Sequence, residues 1–375
     1  MSIWIDSNTQ LQALCDQLSG CTLLAVDTEF IRTDTFYPKI ALIQLSDGEQ
    51  CWLIDVLAID DFSGLKTLLE SSQTTLIFHA CAEDLEVLDH GLDIQPTEIF
   101  DTQIAAGITN VGYCMGYARL VEALLEIQLD KQETRSNWLA RPLTERQLSY
   151  AKLDVLYLHT LHKILRQALD DQQRRDWFNE ETQNLFSLVE ERKNNQDYYR
   201  RIRGAWRLSA QSLTVLAALC QWREAQARAK DIPRSRIAKD LVLFEIARML
   251  PESKRQLFAL EDWPPGAVKR YAEAVLKQVA DARQQAPMPA LPQPLSKNKT
   301  AIMKKIRNAM LSIAEDKQIP SEFLCNKKEL EAILRSSEQS AQQWPARFTE
   351  GWRRLWVKPA IEAVLEKANL RCELQ

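Results

Sequence analysis

The sequence lacks the features of a membrane, secreted or zinc-binding protein. No apolar run in its 375 residues approaches the roughly 18 residues that a membrane-spanning helix requires. The first residues, Met1 to Asp6, lack the basic and then apolar regions of a secretory signal, which predicts a cytoplasmic protein with no membrane partner. The eight cysteines form no C-x-x-C pair, so neither a zinc site nor a disulfide framework is indicated. A G-x-x-x-x-G-K-[ST] loop is also absent, which argues against a helicase.

Charge is unevenly distributed along the chain. Residues 1–200 contain 16 Lys and Arg against 32 Asp and Glu, residues 201–375 contain 31 against 19, and the net charge is −4. A basic half can hold a polyanion while an acidic half binds metal. The alternative is that both halves are solvated surfaces.

Residues 1–110 alternate strand and helix signals. A hairpin signal at Asp47-Gly48, followed by crossover helices, predicts an α/β fold with a mixed sheet and helices packed on it. Helical periodicity continues to about Lys193 and is strongest from Thr144 to Leu169. The predicted strands lie near residues 3–5, 23–26, 39–45, 51–55, 75–78 and 99, and the predicted helices of this region at 9–18, 62–69, 82–88 and 102–108.

Two all-helical segments follow. Residues 194–203 are polar and carry the change from acidic to basic, which predicts domains at 1–195, 204–286 and 296–375. A proline-rich link from Pro287 to Pro294 separates the last two as a semi-rigid spacer. An Ile-Pro start and several apolar positions recur 87 residues apart, at Ile232-Pro233 and Ile319-Pro320. The recurrence predicts two copies of one helical module.

Asp27 and Glu29 end an apolar strand with one residue between them. Side chains alternate along a strand, so these two carboxylates should project from the same side. A divalent cation that takes oxygen ligands would offset their repulsion. The alternative is a strand edge whose acids face water.

Two further acids are candidates for the same site. Asp84 lies in the first turns of a helix, where the helix dipole alone would stabilise it. Asp154 lies in an apolar helical stretch, where a carboxylate is costly unless it is paired with an arginine or bound to metal. Tyr150 is four residues earlier on the same face. Four carboxylates roughly offset two divalent cations, the arrangement used for in-line phosphoryl transfer, and Tyr150 would orient the attacking water.

Three segments carry a family resemblance: Val26-Asp-Thr-Glu-Phe30, His79-Ala-x-x-Glu-Asp84 and Tyr150-Ala-x-x-Asp-Val-x-Tyr-Leu158. They resemble the exonuclease motifs of the DEDD superfamily, in its tyrosine-bearing branch. The intervening phrases are similar to the ribonuclease D family, and the two basic segments resemble HRDC modules. Those phrases are Phe36-Tyr-Pro38, Leu42-Ile-Gln-Leu45, Asp101-Thr-Gln103 and Trp138-Leu-Ala-Arg-Pro-Leu-Thr-Glu-Arg-Gln147.

The resemblance implies a 3'-to-5' exoribonuclease with a ribonuclease H-like sheet, which releases 5'-mononucleotides and matures the 3' ends of precursor tRNAs and other small structured RNAs. A monomer is expected. The resemblance also implies two divalent ions, Mg²⁺ or Mn²⁺. Asp27, Glu29 and Asp154 would hold the first and Asp27 with Asp84 the second, while Tyr150 positions the water. The alternatives are a DNA 3'-to-5' exonuclease, or a nucleic-acid-binding adaptor whose exonuclease domain is only a scaffold.

Five more residues are candidate substrate contacts. Phe30 has core packing as its alternative, and the alternative for Arg141 is that Arg141-Pro-Leu143 caps the long helix. Basic pieces at 222–230, 297–307 and 352–354 are candidates for phosphate contact. The five substrate-contact candidates are Thr28, Phe30, Trp138, Arg141 and Gln147.

Overall fold

A mixed six-stranded sheet lies at the centre of the N-terminal region. The computed structural model describes residues 2–129, 136–193, 197–336 and 344–368. Within them the strand order is β1-β4-β3-β2-β5-β6; β1 and β4 pair parallel, β3 and β4 antiparallel, and β2, β5 and β6 parallel. The α/β fold with a mixed sheet is therefore confirmed. The strands are β1 (Ser2–Ile5), β2 (Leu23–Ile31), β3 (Lys39–Ser46), β4 (Cys51–Asp55), β5 (Thr75–Phe78) and β6 (Ile99–Asp101).

Strand β2 is longer than predicted. It continues to Ile31, so Asp27 and Glu29 lie within the strand and not at its tip. The β-favouring residues Thr28, Phe30 and Ile31 account for the extension, because they alternate with the two acids. The expectation of same-side carboxylates is unchanged.

Helices cover both faces of the sheet. One core contains residues of α1 (Asn8–Leu18), α2 (Ser63–Leu69) and α3 (Ala82–Leu92), and the other contains residues of α4 (Thr102–Ile108), α5 (Tyr117–Leu125), α6 (Glu145–Leu156) and α7 (Leu158–Asp171). In β2, Leu24 and Val26 belong to the first core and Ala25 to the second. By alternation Asp27 and Glu29 project on the Ala25 side, and α6 packs against β2 there.

The long helix predicted from Thr144 to Leu169 is divided in two. Thr144 is the N-cap, as expected, but α6 ends at Leu156 and α7 begins at Leu158. Tyr157 between them has φ −101° and ψ −2°, outside regular helical values. Asp154 therefore lies in the last turn of a helix and not in a helix interior. Sequence periodicity missed the break because the apolar stripe continues across it.

The helical modules repeat the same local structure. Three helices of the first module have counterparts in the second: α9 (Ala210–Lys230) and α14 (Lys297–Lys317), α10 (Arg234–Ile237) and α15 (Ser321–Leu324), and α11 (Asp240–Met249) and α16 (Lys327–Ser336). In each pair both the first and the last residue are 87 positions apart. This agreement supports the predicted duplication. The remaining helices are α8 (Arg175–Lys193), α12 (Lys254–Phe258), α13 (Pro265–Arg283), α17 (Ala346–Thr349) and α18 (Val357–Lys367).

The chain forms two compact units that differ from the predicted order of domains. One comprises residues 1–31, 40–189 and 295–375, and the other residues 32–39 and 190–294. In the first unit Arg353 is fully buried, paired with Glu180 at 2.6 Å, and Trp177 stacks on Trp352 with ring centres 4.5 Å apart. The second helical module thus shares a core with the sheet region. The predicted boundary at 195 and the last residues, 369–375, lie outside the described residues, and the domain limits stay a prediction.

None of the described helices has the length and apolar character needed to cross a membrane.

Candidate active site

Three carboxylates from two distant segments meet beside the sheet. One oxygen each of Asp27, Glu29 and Asp154 lies within 4.8 Å of the others. Asp27 and Glu29 come from β2, and Asp154 comes from the last turn of α6, which packs against that strand. All three are partly exposed, so water and ions can reach them. The set of hard oxygen donors suits Mg²⁺ or Mn²⁺.

The electrostatics of this cluster favour a bound cation. Burial, together with the charges of Asp84, Asp154 and Glu29, raises the pKa of Asp27 well above its ordinary value. Burial and neighbouring acids raise the pKa of Glu29 to about 9 and that of Asp154 to about 8. Without a counter-charge these groups favour the protonated form at neutral pH. A divalent cation removes the repulsion and lets them ionise.

Asp84 is outside the group of three that meets within 4.8 Å, but its charge raises the pKa values of all three, and Thr28 of β2 holds its carboxylate. Among the acids at the start of α3, Asp84 is buried and Glu83 is exposed. The Thr28 hydroxyl donates to Asp84 Oδ1 at 2.5 Å. Burial raises the pKa of Asp84 to about 6, while the bond from Thr28 lowers it. Thr28 thus orients an acid, a role that spacing did not indicate.

The loop that precedes α3 is fixed by Asp101. Its carboxylate accepts the N–H groups of Ala80 and Cys81 at 3.1 and 2.9 Å. It also caps α4 by accepting the N–H groups of Gln103 and Ile104. Asp101 therefore fixes the backbone just before α3. That helix begins at Ala82, and Asp84 lies two residues further along it.

Tyr150 lies one helical turn before Asp154 in α6. Its ring is partly buried, with the Trp138 ring centre 6.2 Å away. Burial and the charges of Asp154 and Glu29 raise the pKa of Tyr150, so its hydroxyl stays protonated at neutral pH. A protonated phenol can donate to, or accept from, a water near the trio.

Three candidate substrate contacts, Trp138, Gln147 and Phe30, take part in packing or capping, and their contact with substrate stays a prediction. Trp138 is 2% exposed and belongs to the core. Gln147 completes the capping box with Thr144, and its amide also donates to the Asn137 carbonyl at 3.4 Å. Phe30 is partly buried and packs against the other core, as its alternative predicted.

Arg141 binds protein groups through every N–H of its guanidinium. It forms two bonds to the Asp55 carboxylate, at 2.8 and 2.6 Å, and donates to the carbonyls of Ala41, Trp138 and Ala140. The five donors of an arginine are thereby used, which leaves none for a phosphate. Arg141 therefore has a structural role, but as the partner of Asp55 and of three carbonyls; the cap of α6 is Thr144.

We expect Arg141→Ala to lower the free energy of unfolding by about 2–3 kcal/mol, because it leaves the buried Asp55 carboxylate unpaired. Arg141→Lys should recover only part of this stability, since lysine cannot bond both oxygens at once. Urea unfolding followed by circular dichroism measures both variants. Unchanged stability together with a raised KM for RNA would instead assign Arg141 to substrate binding.

The comparisons with known proteins agree with this geometry. The family model described as 3'-5' exonuclease matches residues 2–170, and the one described as HRDC domain matches residues 212–279. The sequence is 37% identical to ribonuclease D of Pseudomonas paraeruginosa, over 97% of this chain and 98% of that protein. The chain belongs to the ribonuclease D family. It is 32% identical to ribonuclease D of Xanthomonas oryzae pv. oryzae, over 98% of this chain and 100% of the relative.

A solved structure extends the likeness to the whole fold. The crystal structure of Escherichia coli RNase D, described as an exoribonuclease involved in structured RNA processing, aligns with a TM-score of 0.87 at 31% identity. The alignment covers 98% of this chain and 99% of that one. Membership of the ribonuclease D family makes the chain a 3'-to-5' exoribonuclease, a hydrolase with a metal-dependent exonuclease fold. The HRDC match lies within the first predicted helical domain, and the HRDC identity of the second module stays a prediction.

Proposed function

We propose that this ribonuclease D family member releases 5'-mononucleotides singly from RNA 3' ends by two-metal-ion hydrolysis, and matures precursor tRNAs and other small structured RNAs. The convergence of Asp27, Glu29 and Asp154 within 4.8 Å carries the proposal. The Asp84 carboxylate beside them offers oxygens for a second ion. Mg²⁺ and Mn²⁺ both suit such a donor set.

The residues divide the work as the family resemblance implies. Asp27, Glu29 and Asp154 hold one ion, and Asp27 with Asp84 holds the other. Ions bound there would supply an activated water and would stabilise the leaving oxygen of the 3'-terminal phosphodiester. Tyr150 accepts or donates a hydrogen bond to the water and sets its direction of attack.

Helix α14 presents the best candidate surface for RNA phosphates. Lys304, Lys305 and Arg307 are exposed on it, and none forms an ion pair within the described residues. Two other candidates are structural: Arg223 is 2% exposed and pairs with Asp240, and Arg353 is fully buried. Free cations on one exposed helix suit a phosphate backbone better than buried, paired ones.

The double substitution Lys304→Gln with Lys305→Gln should weaken RNA binding and flatten its salt dependence. The log–log slope should fall by about 0.7 for each phosphate that the variant no longer neutralises. Fluorescence anisotropy with a single-stranded RNA at several salt concentrations measures the slope. Lys66→Gln with Lys163→Gln, on exonuclease helices, makes the same charge change and serves as control. Equal slopes for the two double variants would remove α14 from the interface. Substitution is preferable to deleting the second module, because that module shares a core with the sheet region.

An end-labelled tRNA with extra 3' nucleotides tests the proposed substrate. We expect stepwise shortening with Mg²⁺ or Mn²⁺, 5'-mononucleotide products, and no reaction with EDTA. A DNA oligomer of matched sequence tests the first alternative, a DNA exonuclease, and equal or faster turnover of DNA would favour it. RNA binding without hydrolysis under every metal condition would favour the adaptor. The monomeric state and the cytoplasmic location stay predictions, and size-exclusion chromatography with light scattering checks the first.

A further inference from the structure

The break between α6 and α7 contains the hydroxyl of Tyr117. This hydroxyl donates to the Leu153 carbonyl at 2.8 Å and accepts the Tyr157 N–H at 3.2 Å. In an unbroken α-helix the Tyr157 N–H would itself bond the Leu153 carbonyl. The Tyr117 hydroxyl is therefore inserted between two backbone groups that would bond each other in a regular helix. Insertion of a side chain at such a point is a recognised cause of a sharp helix kink.

The insertion point adjoins a proposed metal ligand. Leu153, whose carbonyl receives the hydroxyl, directly precedes Asp154. The last turn of a helix has carbonyls without intrahelical partners, and such turns fray unless those groups are satisfied. The Tyr157 N–H also approaches the carbonyl of Val155, two residues back, which is too near in sequence for a regular helical bond. The phenol thus satisfies backbone groups on both sides of Asp154.

Tyr117 is held in place from other elements. It is the first residue of α5, after the N-cap Gly116. The ring of His79, which follows β5, lies edge-on to it with ring centres 5.6 Å apart. His79 Nδ1 is 2.9 Å from the Thr102 hydroxyl, which donates to the Phe78 carbonyl at 3.0 Å. The Thr102 hydroxyl has one proton and donates it to the Phe78 carbonyl. His79 Nδ1 is therefore the donor to the Thr102 oxygen.

We propose that Tyr117 is a positioning residue of the metal site, whose hydroxyl fixes the last turn of α6 and so the placement of Asp154 beside Asp27 and Glu29. A metal ligand must be held to within about 0.5 Å, and partners behind the ligands commonly change metal affinity by about 10–100-fold. Tyr117 itself touches neither the ion nor the substrate in this role. The inference rests on the proposed metal site and adds the element that holds one ligand in place.

The variant Tyr117→Phe removes the hydroxyl and keeps the ring that packs against His79. We expect its Kd for Mn²⁺, measured by calorimetry on the full chain, to rise by about 10-fold or more. The Mg²⁺ concentration for half-maximal hydrolysis should rise in parallel, while kcat at saturating Mg²⁺ recovers most of its normal value. Tyr113→Phe, an exposed tyrosine four residues earlier, is the matched control and should leave metal affinity unchanged.

Hydrogen exchange provides a readout that does not depend on activity. In metal-free Tyr117→Phe the amides of residues 154–157 should exchange faster than in the unchanged protein, while those in the middle of α7 should not. A variant that loses protection throughout the chain would be globally unstable. It would overturn the proposal, because Tyr117 would then act as an ordinary core residue.

Three other outcomes are decisive. If the unchanged protein binds Mn²⁺ and Tyr117→Phe binds it equally, the positioning role is wrong and the metal site stands. If the unchanged protein binds no Mn²⁺ either, the metal site itself fails. If Tyr117→Phe lowers kcat at every Mg²⁺ concentration with unchanged affinity, the hydroxyl acts on the reacting groups, as proposed for Tyr150, and the positioning role is overturned.

Discussion

We expect Asp154→Asn to lower kcat for RNA hydrolysis by about 10³-fold or more, and to change the Kd for RNA by less than about twofold. The carboxamide is nearly isosteric, but it lacks the negative charge that would hold an ion at the proposed site, and the stabilisation of the transition state by such an ion is worth several kcal/mol. RNA affinity is set mainly by contacts to the phosphates along the strand, which this substitution does not remove. Single-turnover cleavage and anisotropy binding, at one Mg²⁺ concentration, measure the two effects.

The exposed acid Glu83, next to the buried Asp84, offers a matched control. Glu83→Gln makes the same change of charge in the same region and should leave kcat within about twofold, because the exposed Glu83 side chain holds no ion in the proposed site. Hydrolysis by Asp154→Asn at the normal rate would mean that Asp154 holds no ion. An equal decrease of kcat in Glu83→Gln would mean that the loss of one negative charge in this region lowers the rate, and not the loss of a metal ligand from the trio.

We expect the metal-free protein to become less stable as pH rises, and Mg²⁺ to restore the stability. The pKa values of Asp84, Asp154 and Glu29 are raised in the folded state, to about 6, 8 and 9. Above their ordinary values of about 4 and below these raised values, the folded state binds more protons than the unfolded state. The free energy of unfolding therefore falls as pH rises, by about 1.4 kcal/mol per pH unit for each such proton. The decrease in stability that is caused by Asp84 is complete near pH 6, and the decrease that is caused by Glu29 is complete near pH 9.

Urea unfolding between pH 5.5 and 9, with EDTA or with Mg²⁺, measures this dependence. Bound Mg²⁺ should stabilise the protein more at high pH than at low pH, because protons compete with the ion for the carboxylates. Asp154→Asn removes one of the acids, so its metal-free curve should fall less steeply. Stability that is constant or rises with pH in EDTA would contradict the repulsion inferred within the cluster.

Much of the site could be predicted from local sequence. Asp27 and Glu29 were expected on one side because strand alternation is a property of consecutive residues. Asp154 was expected to be paired or bound to metal, because an acid in an apolar helical stretch has a free-energy cost that any fold must offset. The meeting of these segments depends on how α6 packs on β2, which no local pattern contains. The family resemblance supplied that step, and the geometry of the trio agrees with it.

The contacts that position the site could not be read from the sequence. The bond from Thr28 to Asp84 crosses 56 residues, and that from Tyr117 to Leu153 crosses 36. The break at Tyr157 left the apolar stripe of the predicted helix intact, so periodicity could not reveal it. Arg141 was ambiguous because a guanidinium binds a carboxylate and a phosphate equally well, and only Asp55 across the fold decides between them.

Manganese located by anomalous X-ray scattering tests the central claim most directly. A crystal of the Tyr150→Phe variant, with Mn²⁺ and an RNA oligonucleotide whose last linkage is a non-hydrolysable phosphorothioate, would capture the site before cleavage. We predict two manganese peaks at the RNA 3' end, one bound by Asp27, Glu29 and Asp154 and one by Asp27 and Asp84. A site with RNA in place but no manganese on Asp154, or with manganese bound only elsewhere, would contradict the two-metal mechanism.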